Sequence, residues 1–164
     1  MHDSRRDPLK FYLDKSNDEA WRAVGALSSA AEAQAASSGL DQELVELVCL
    51  RVSQINGCAF CLNDHTRRAV RAGVSPQRLG LLPAWQDAGV YTEQEKAALR
   101  LAEAVTTLPD AEDRDFAQMI SHGQLTDEQF AAVHWLAIVM NVTNRVSIMS
   151  HHPVRPNPAP RQEK

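Results

Sequence analysis

Apolar residues recur along this chain at three- and four-residue spacing, the repeat of a helix with one buried face. No run alternates apolar and polar positions between turn pairs, as a half-buried strand would. The chain therefore reads as all-α. Ser16 to Asp18 can cap a helix over about 17–37, with acidic residues in its first turn, which SSG at 37–39 ends. Asp41 can cap a second helix over 42–55, whose Leu44, Leu47, Val48, Arg51, Val52 and Ile55 form one broad face. Asn56-Gly57 breaks it, and a third helix runs over 58–71 to Gly73. Ser75-Pro76 opens a short helix, and Pro83 and Gly89 bracket a further turn around Trp85. Thr92 with Glu95, and Thr126 with Gln129, are capping boxes opening helices over 93–107 and 127–149. A short acidic helix over 111–121 lies between them.

The organisation that follows is a single all-α domain over 16–150, after an irregular arm at 1–15 and before a tail at 151–164. That tail holds four of the eight prolines and is expected to be disordered. The helix over 127–149 is apolar on more than one face, so it is either central to the fold or meets a partner subunit.

Composition changes this picture mainly by exclusion. The chain has 164 residues, of which 44% are hydrophobic, and a formal charge of −4. One soluble domain with a real core fits that length. A mildly acidic chain without a basic stripe is a poor nucleic-acid or anionic-membrane binder. No apolar run approaches the roughly 20 residues a membrane span needs. The N-terminal stretch has basic residues but no apolar segment after them, so a cytoplasmic location is expected.

Three cysteines carry the candidate chemistry. Cys58 and Cys61 form a C-x-x-C pair, which in a reducing compartment points to redox chemistry or metal binding. Falling just after Asn56-Gly57, the pair lies at the start of a helix, where free N–H groups and the helix dipole favour a thiolate. Residues three apart on a helix have Cα atoms about 5 Å apart, within reach of a disulfide. His65 lies one turn beyond Cys61 on the same face, so its imidazole can reach that sulfur directly or through one water. If the Asn-Gly turn folds the preceding helix back, Glu46 can orient or deprotonate His65. A thiolate, a second thiol to trap a sulfenic acid, a proton carrier and a carboxylate are what a peroxidatic or dithiol-exchange site needs.

Other readings stand beside this one. Cys49, Cys58, Cys61 and His65 could make a structural Cys₃His zinc site. Cys49 alone reads as a buried core thiol, and Glu46 alone as a solvated helix-face carboxylate. His122 reads as a turn residue, His134 as a core or interface histidine, and His151-His152 as the opening of the flexible tail. The dithiol could also serve an oligomeric redox sensor or interaction module that turns over slowly.

Glu, eleven residues, Cys, two residues, Cys, three residues, His is a signature that Glu46, Cys58, Cys61 and His65 complete. With it come LVELVCLRVSQINGCAFCLNDHTRRAVRAGV, RLGLLPAWQDAGVYTEQEKAALRLAEAVT and a late helix with Asn141 and Asn144-Arg145. In these features, over about residues 8–150, the chain resembles the alkylhydroperoxidase AhpD-like proteins of the carboxymuconolactone decarboxylase superfamily. The resemblance implies an all-α fold with a helical hairpin carrying the pair, assembled as a homotrimer or homohexamer. It implies thiol-dependent reduction of hydrogen peroxide or small organic hydroperoxides with no bound cofactor. Cys61 would be the peroxidatic nucleophile and Cys58 the resolving thiol. Glu46 would be the general base and His65 the proton relay. An external dithiol, a lipoyl protein or similar donor, would reduce the disulfide. The decarboxylases of the superfamily lack the cysteine pair, so its presence argues against that lyase reaction. AhpD itself has a histidine between its cysteines, where this chain has Ala59-Phe60, which makes the rim more apolar.

Overall fold

The computed structural model describes residues 8–156. Seven helices make up its regular structure, with no strand among the described residues. They are α1 (Asp18–Ser37), α2 (Gln42–Asn56), α3 (Ala59–Ala72), α4 (Pro76–Leu81), α5 (Glu93–Thr107), α6 (Ala111–His122) and α7 (Asp127–Met149). Short 3₁₀ turns occur at Pro8–Lys10, Leu13–Lys15 and Leu82–Ala84. The first two lie within the arm expected to be irregular.

Local chemistry sets these boundaries. Asn17, Asp41, Ser75 and Asp110 each accept a hydrogen bond from a first-turn N–H, which otherwise has no partner inside its helix. Both capping boxes are formed: Thr92 with Glu95 opens α5, and Thr126 with Gln129 opens α7. Gly57 and Gly73 end α2 and α3 in the left-handed conformation, at φ 69° and 110°. Only glycine adopts that conformation without a steric penalty.

α2 is the central element. It packs against α3, α5 and α7, and α1 lies along α7. One side of α2 presents Leu44, Val48, Cys49 and Val52 to a core shared with Ala98, Leu101, Val133 and Leu136. Its other side presents Leu47 and Leu50 to a second core with Ala69, Leu82, Trp85 and Leu99. Cys49 is thus a buried core thiol, and burial pushes its pKa well above the ordinary thiol range. α7 is central to the fold as well, yet Trp135 and Ile138 remain exposed on its outer side. No helix of the described residues is long and apolar enough to cross a membrane. Most of the tail expected to be disordered, from 157 onward, lies outside the described residues.

Candidate active site

The site is built at the junction of α2 and α3. Gly57 turns the chain, with Gly57 N–H bonded to Gln54 O (3.2 Å) and Cys58 N–H to Ser53 O (3.0 Å). Cys58 then becomes the N-cap of α3 rather than its first helical residue, and its Sγ accepts from Cys61 N–H at 3.3 Å. The sequence placed Cys58 inside the helix; the difference is one residue. Cys58 and Cys61 are joined as a disulfide with their Cα atoms 5.3 Å apart. Both are buried, but only Cys61 lines the neighbouring cavity of about 300 Å³, together with His65, Phe60, Trp21, Met140 and Arg68 among others.

Glu46 is fully buried, so the reading of it as a solvated carboxylate does not hold. It projects from α2 toward α3, and its Oε2 lies 2.7 Å from His65 Nδ1. Its Oε1 accepts from Gln42 Nε2 at 2.6 Å and forms an ion pair with Arg68 Nε at 2.9 Å. Burial alone would raise the Glu46 pKa. The hydrogen bond and charge of His65, the Arg68 guanidinium and the Gln42 amide outweigh it and hold the carboxyl below its ordinary value. An ionised carboxylate can only accept, so Nδ1 of His65 donates to it. That leaves Nε2 as the ring nitrogen for proton exchange. Arg68 also reaches Glu32 on α1, at 3.3 Å, so one guanidinium ties three helices together.

Arg68 and Gln42 join the expected Cys61 and His65, and local spacing carries the signal for both. Cys61, His65 and Arg68 follow the i, i+4, i+7 spacing of one helical stripe. Gln42 lies four residues before Glu46 on α2. Cys49 faces the core instead. Among the described residues, no group of three or more His, Cys, Asp or Glu is placed to hold a metal ion, so the Cys₃His set is not assembled.

A second polar cluster fixes the end of α2. Asn56 donates to Asn141 and Asn144 on α7, each at 3.0 Å, and Asn144 donates to Ser53 Oγ at 3.1 Å. Asn144 is fully buried. The turn that delivers Cys58 is therefore anchored to the longest helix.

Residues 22–104 match the carboxymuconolactone decarboxylase family. The chain belongs to that family. Among curated relatives, it is 36% identical over 111 residues to the uncharacterised YdfG protein of Bacillus subtilis, covering 68% of this chain and 76% of that one. It is 28% identical over 76 residues to the uncharacterised YnjA protein of Escherichia coli, covering 46% of this chain and 42% of the other. A crystal structure from Agrobacterium tumefaciens superimposes with a TM-score of 0.78 at 33% identity, over 89% of this chain and 99% of that one. That protein is of unknown function, with a suggested assignment as the antioxidant defence protein AhpD. The carboxymuconolactone decarboxylase fold is thus shared over nearly the whole chain, in its AhpD-like form.

Proposed function

We propose that this protein is a thiol-dependent peroxidase of the AhpD type. The observation that carries the reading is the line from Cys61 at the cavity, through His65 one turn on, to the buried carboxylate of Glu46. In the reduced protein, His65 Nε2 takes the Cys61 proton while Glu46 stabilises the imidazolium that forms. The Cys61 thiolate attacks the distal oxygen of a hydroperoxide, the O–O bond breaks, and the alkoxide leaves as an alcohol with the proton from His65. Cys61 is now a sulfenic acid. The Cys58 sulfur attacks it, the S–S bond forms and the oxygen leaves as water. An external dithiol then reduces the pair and becomes a disulfide itself. Cys61 is the outer sulfur, which suits it to meet peroxide, while Cys58 is sheltered beneath it.

The cavity lining favours a small uncharged substrate. Trp21, Phe60 and Met140 supply apolar wall, whereas Asp14, Glu32 and Asp64 supply carboxylates. The Arg68 charge is already engaged by Glu46 and Glu32. Assembly as a homotrimer or homohexamer fits the exposed Trp135 and Ile138 on α7; a sizing column with light scattering tests it.

The functional test is peroxide consumption with dihydrolipoamide, thioredoxin and glutathione as parallel reductants. Turnover well above that of free thiol, abolished by Cys61→Ser, is expected. Full activity in Cys61→Ser overturns the mechanism. One stoichiometric oxidation without turnover in all three systems would assign the pair to redox sensing instead.

A further inference from the structure

The two ends of the described chain meet over the cavity that Cys61 lines. α7 closes in a Schellman motif: His151 N–H bonds Ile148 O at 3.1 Å and His152 N–H bonds Ser147 O at 3.2 Å. His151 takes the left-handed conformation that the motif requires, at φ 50°. The reversal carries His152 back to the cavity wall instead of letting it open a free tail.

Four contacts hold the His152 ring. Its Nδ1 lies 3.2 Å from Ser147 Oγ, and its Nε2 lies 3.1 Å from Asp14 Oδ1. It stacks on Tyr12 at 5.5 Å with an interplanar angle of 23°. It also meets Phe60, tilted by 58° at 5.1 Å. Tyr12 and Asp14 belong to the N-terminal arm, which is fastened to the end of α7 by Leu13 N–H donating to Ser150 Oγ at 2.9 Å. Phe60 stands between the two cysteines in the sequence. Asp14, Phe60 and His152 all line the same cavity as Cys61 and His65.

We propose that His152 is a specificity-determining residue, a ring clamped between the N-terminal arm and Phe60 that restricts the Cys58–Cys61 pair to slim reactants. The proposal rests on the dithiol reading for its reactants, but not for its geometry. A thiolate that opens a disulfide bonds to one sulfur and expels the other as a thiolate; the reductant's second thiol then releases itself as a disulfide and leaves the pair reduced. That attack needs a cleared approach to a sulfur. Cys58 is 1% exposed and Cys61 6%, and the cavity volume is at the small end of the range for ligand pockets. A small dithiol or one borne on a thin arm fits such an entry. A dithiol set flush in a protein surface does not, while the ring is in place. The same restriction selects small hydroperoxides over bulky ones.

The test uses the full chain, oxidised with diamide, and no peroxide. Reduction of the pair is followed by thiol alkylation and mass shift, with dithiothreitol as the small reagent and thioredoxin as the bulky one. His152→Ala is expected to raise the ratio of thioredoxin rate to dithiothreitol rate by about fivefold or more. His152→Phe, which keeps the bulk and the stacking but not the Asp14 anchor, should raise the ratio clearly less than His152→Ala. Asp14→Ala frees the Nε2 anchor and should raise the ratio less than His152→Ala, so the proposal survives a failure of His152→Ala to fold. An unchanged ratio in folded His152→Ala and Asp14→Ala overturns it, as does an equal rise in His152→Phe and His152→Ala. Absence of peroxidase turnover would overturn the functional reading and leave this result standing.

Discussion

Glu46 and His65 lie nineteen residues apart in the sequence, and their side chains meet at 2.7 Å in the interior. The Gly57 turn makes this possible by folding α3 back against α2. The imidazole is oriented by a charge that water cannot reach, so its orientation does not depend on solvent.

Glu46→Gln keeps the shape of this contact and removes its charge. Peroxide turnover should fall by roughly 10² to 10⁴, the usual scale for a positioned acid–base pair. Stability should respond to pH as well. The Glu46 pKa in the folded protein lies below its ordinary value of 4.5. Its stabilisation is therefore complete above that ordinary value and is lost as the pH falls through the lower folded one. Urea unfolding of wild type over acidic pH should show this loss, and Glu46→Gln should lack that component.

Arg68 should be irreplaceable by lysine. Its Nε serves Glu46 while its Nη2 serves Glu32, a fork that a single ammonium cannot reproduce. Arg68→Lys should cost about 2 kcal/mol and let the Glu46 pKa rise. The acid limb of the activity profile would then move to higher pH. Unfolding curves and a pH–rate profile measure the two effects separately.

Cys58→Ser should still react once with peroxide. Without its resolving partner, Cys61 would remain a sulfenic acid, open to trapping by dimedone and to further oxidation. Mass spectrometry should find one adduct per chain on Cys61. An adduct on Cys49 instead would contradict its burial in the core.

Charge on the substrate should matter as well as its size. The carboxylates of Asp14, Glu32 and Asp64 face the cavity. Ethyl hydroperoxide should show a kcat/KM about tenfold above that of a carboxylated analogue of similar size, and added salt should narrow the gap.

Asn144→Ala removes the centre of a buried network and should destabilise by about 2 to 3 kcal/mol. Ser53 and Asn56 each lose a partner, and Asn56 adjoins the turn before Cys58. Thermal unfolding measures the loss; a faster reduction of the disulfide in the same variant would show that the turn has loosened.

Most of the helices were legible because their signals are local. Asp41, Thr92 and Thr126 cap the helices they precede, as their spacing to the next turn implies. The contact between Glu46 and His65 was legible for a related reason: one glycine break sets how α2 and α3 face each other, and helical periodicity then aligns the two residues. Arg68 was visible only as a register position. Its value depends on Glu32, which a different helix delivers. His152 carried no signal. Its contacts with Asp14 span 138 residues and rest on a left-handed histidine that no pattern announces. The burial of Glu46 was equally hidden, because α2 has core on two sides and the sequence shows only one broad face.

The Cys58–Cys61 bond joins residues that already share one turn of backbone. Making or breaking it ties no other helix in covalently. A partner that reads the state of the pair through that bond must come to the sulfurs themselves.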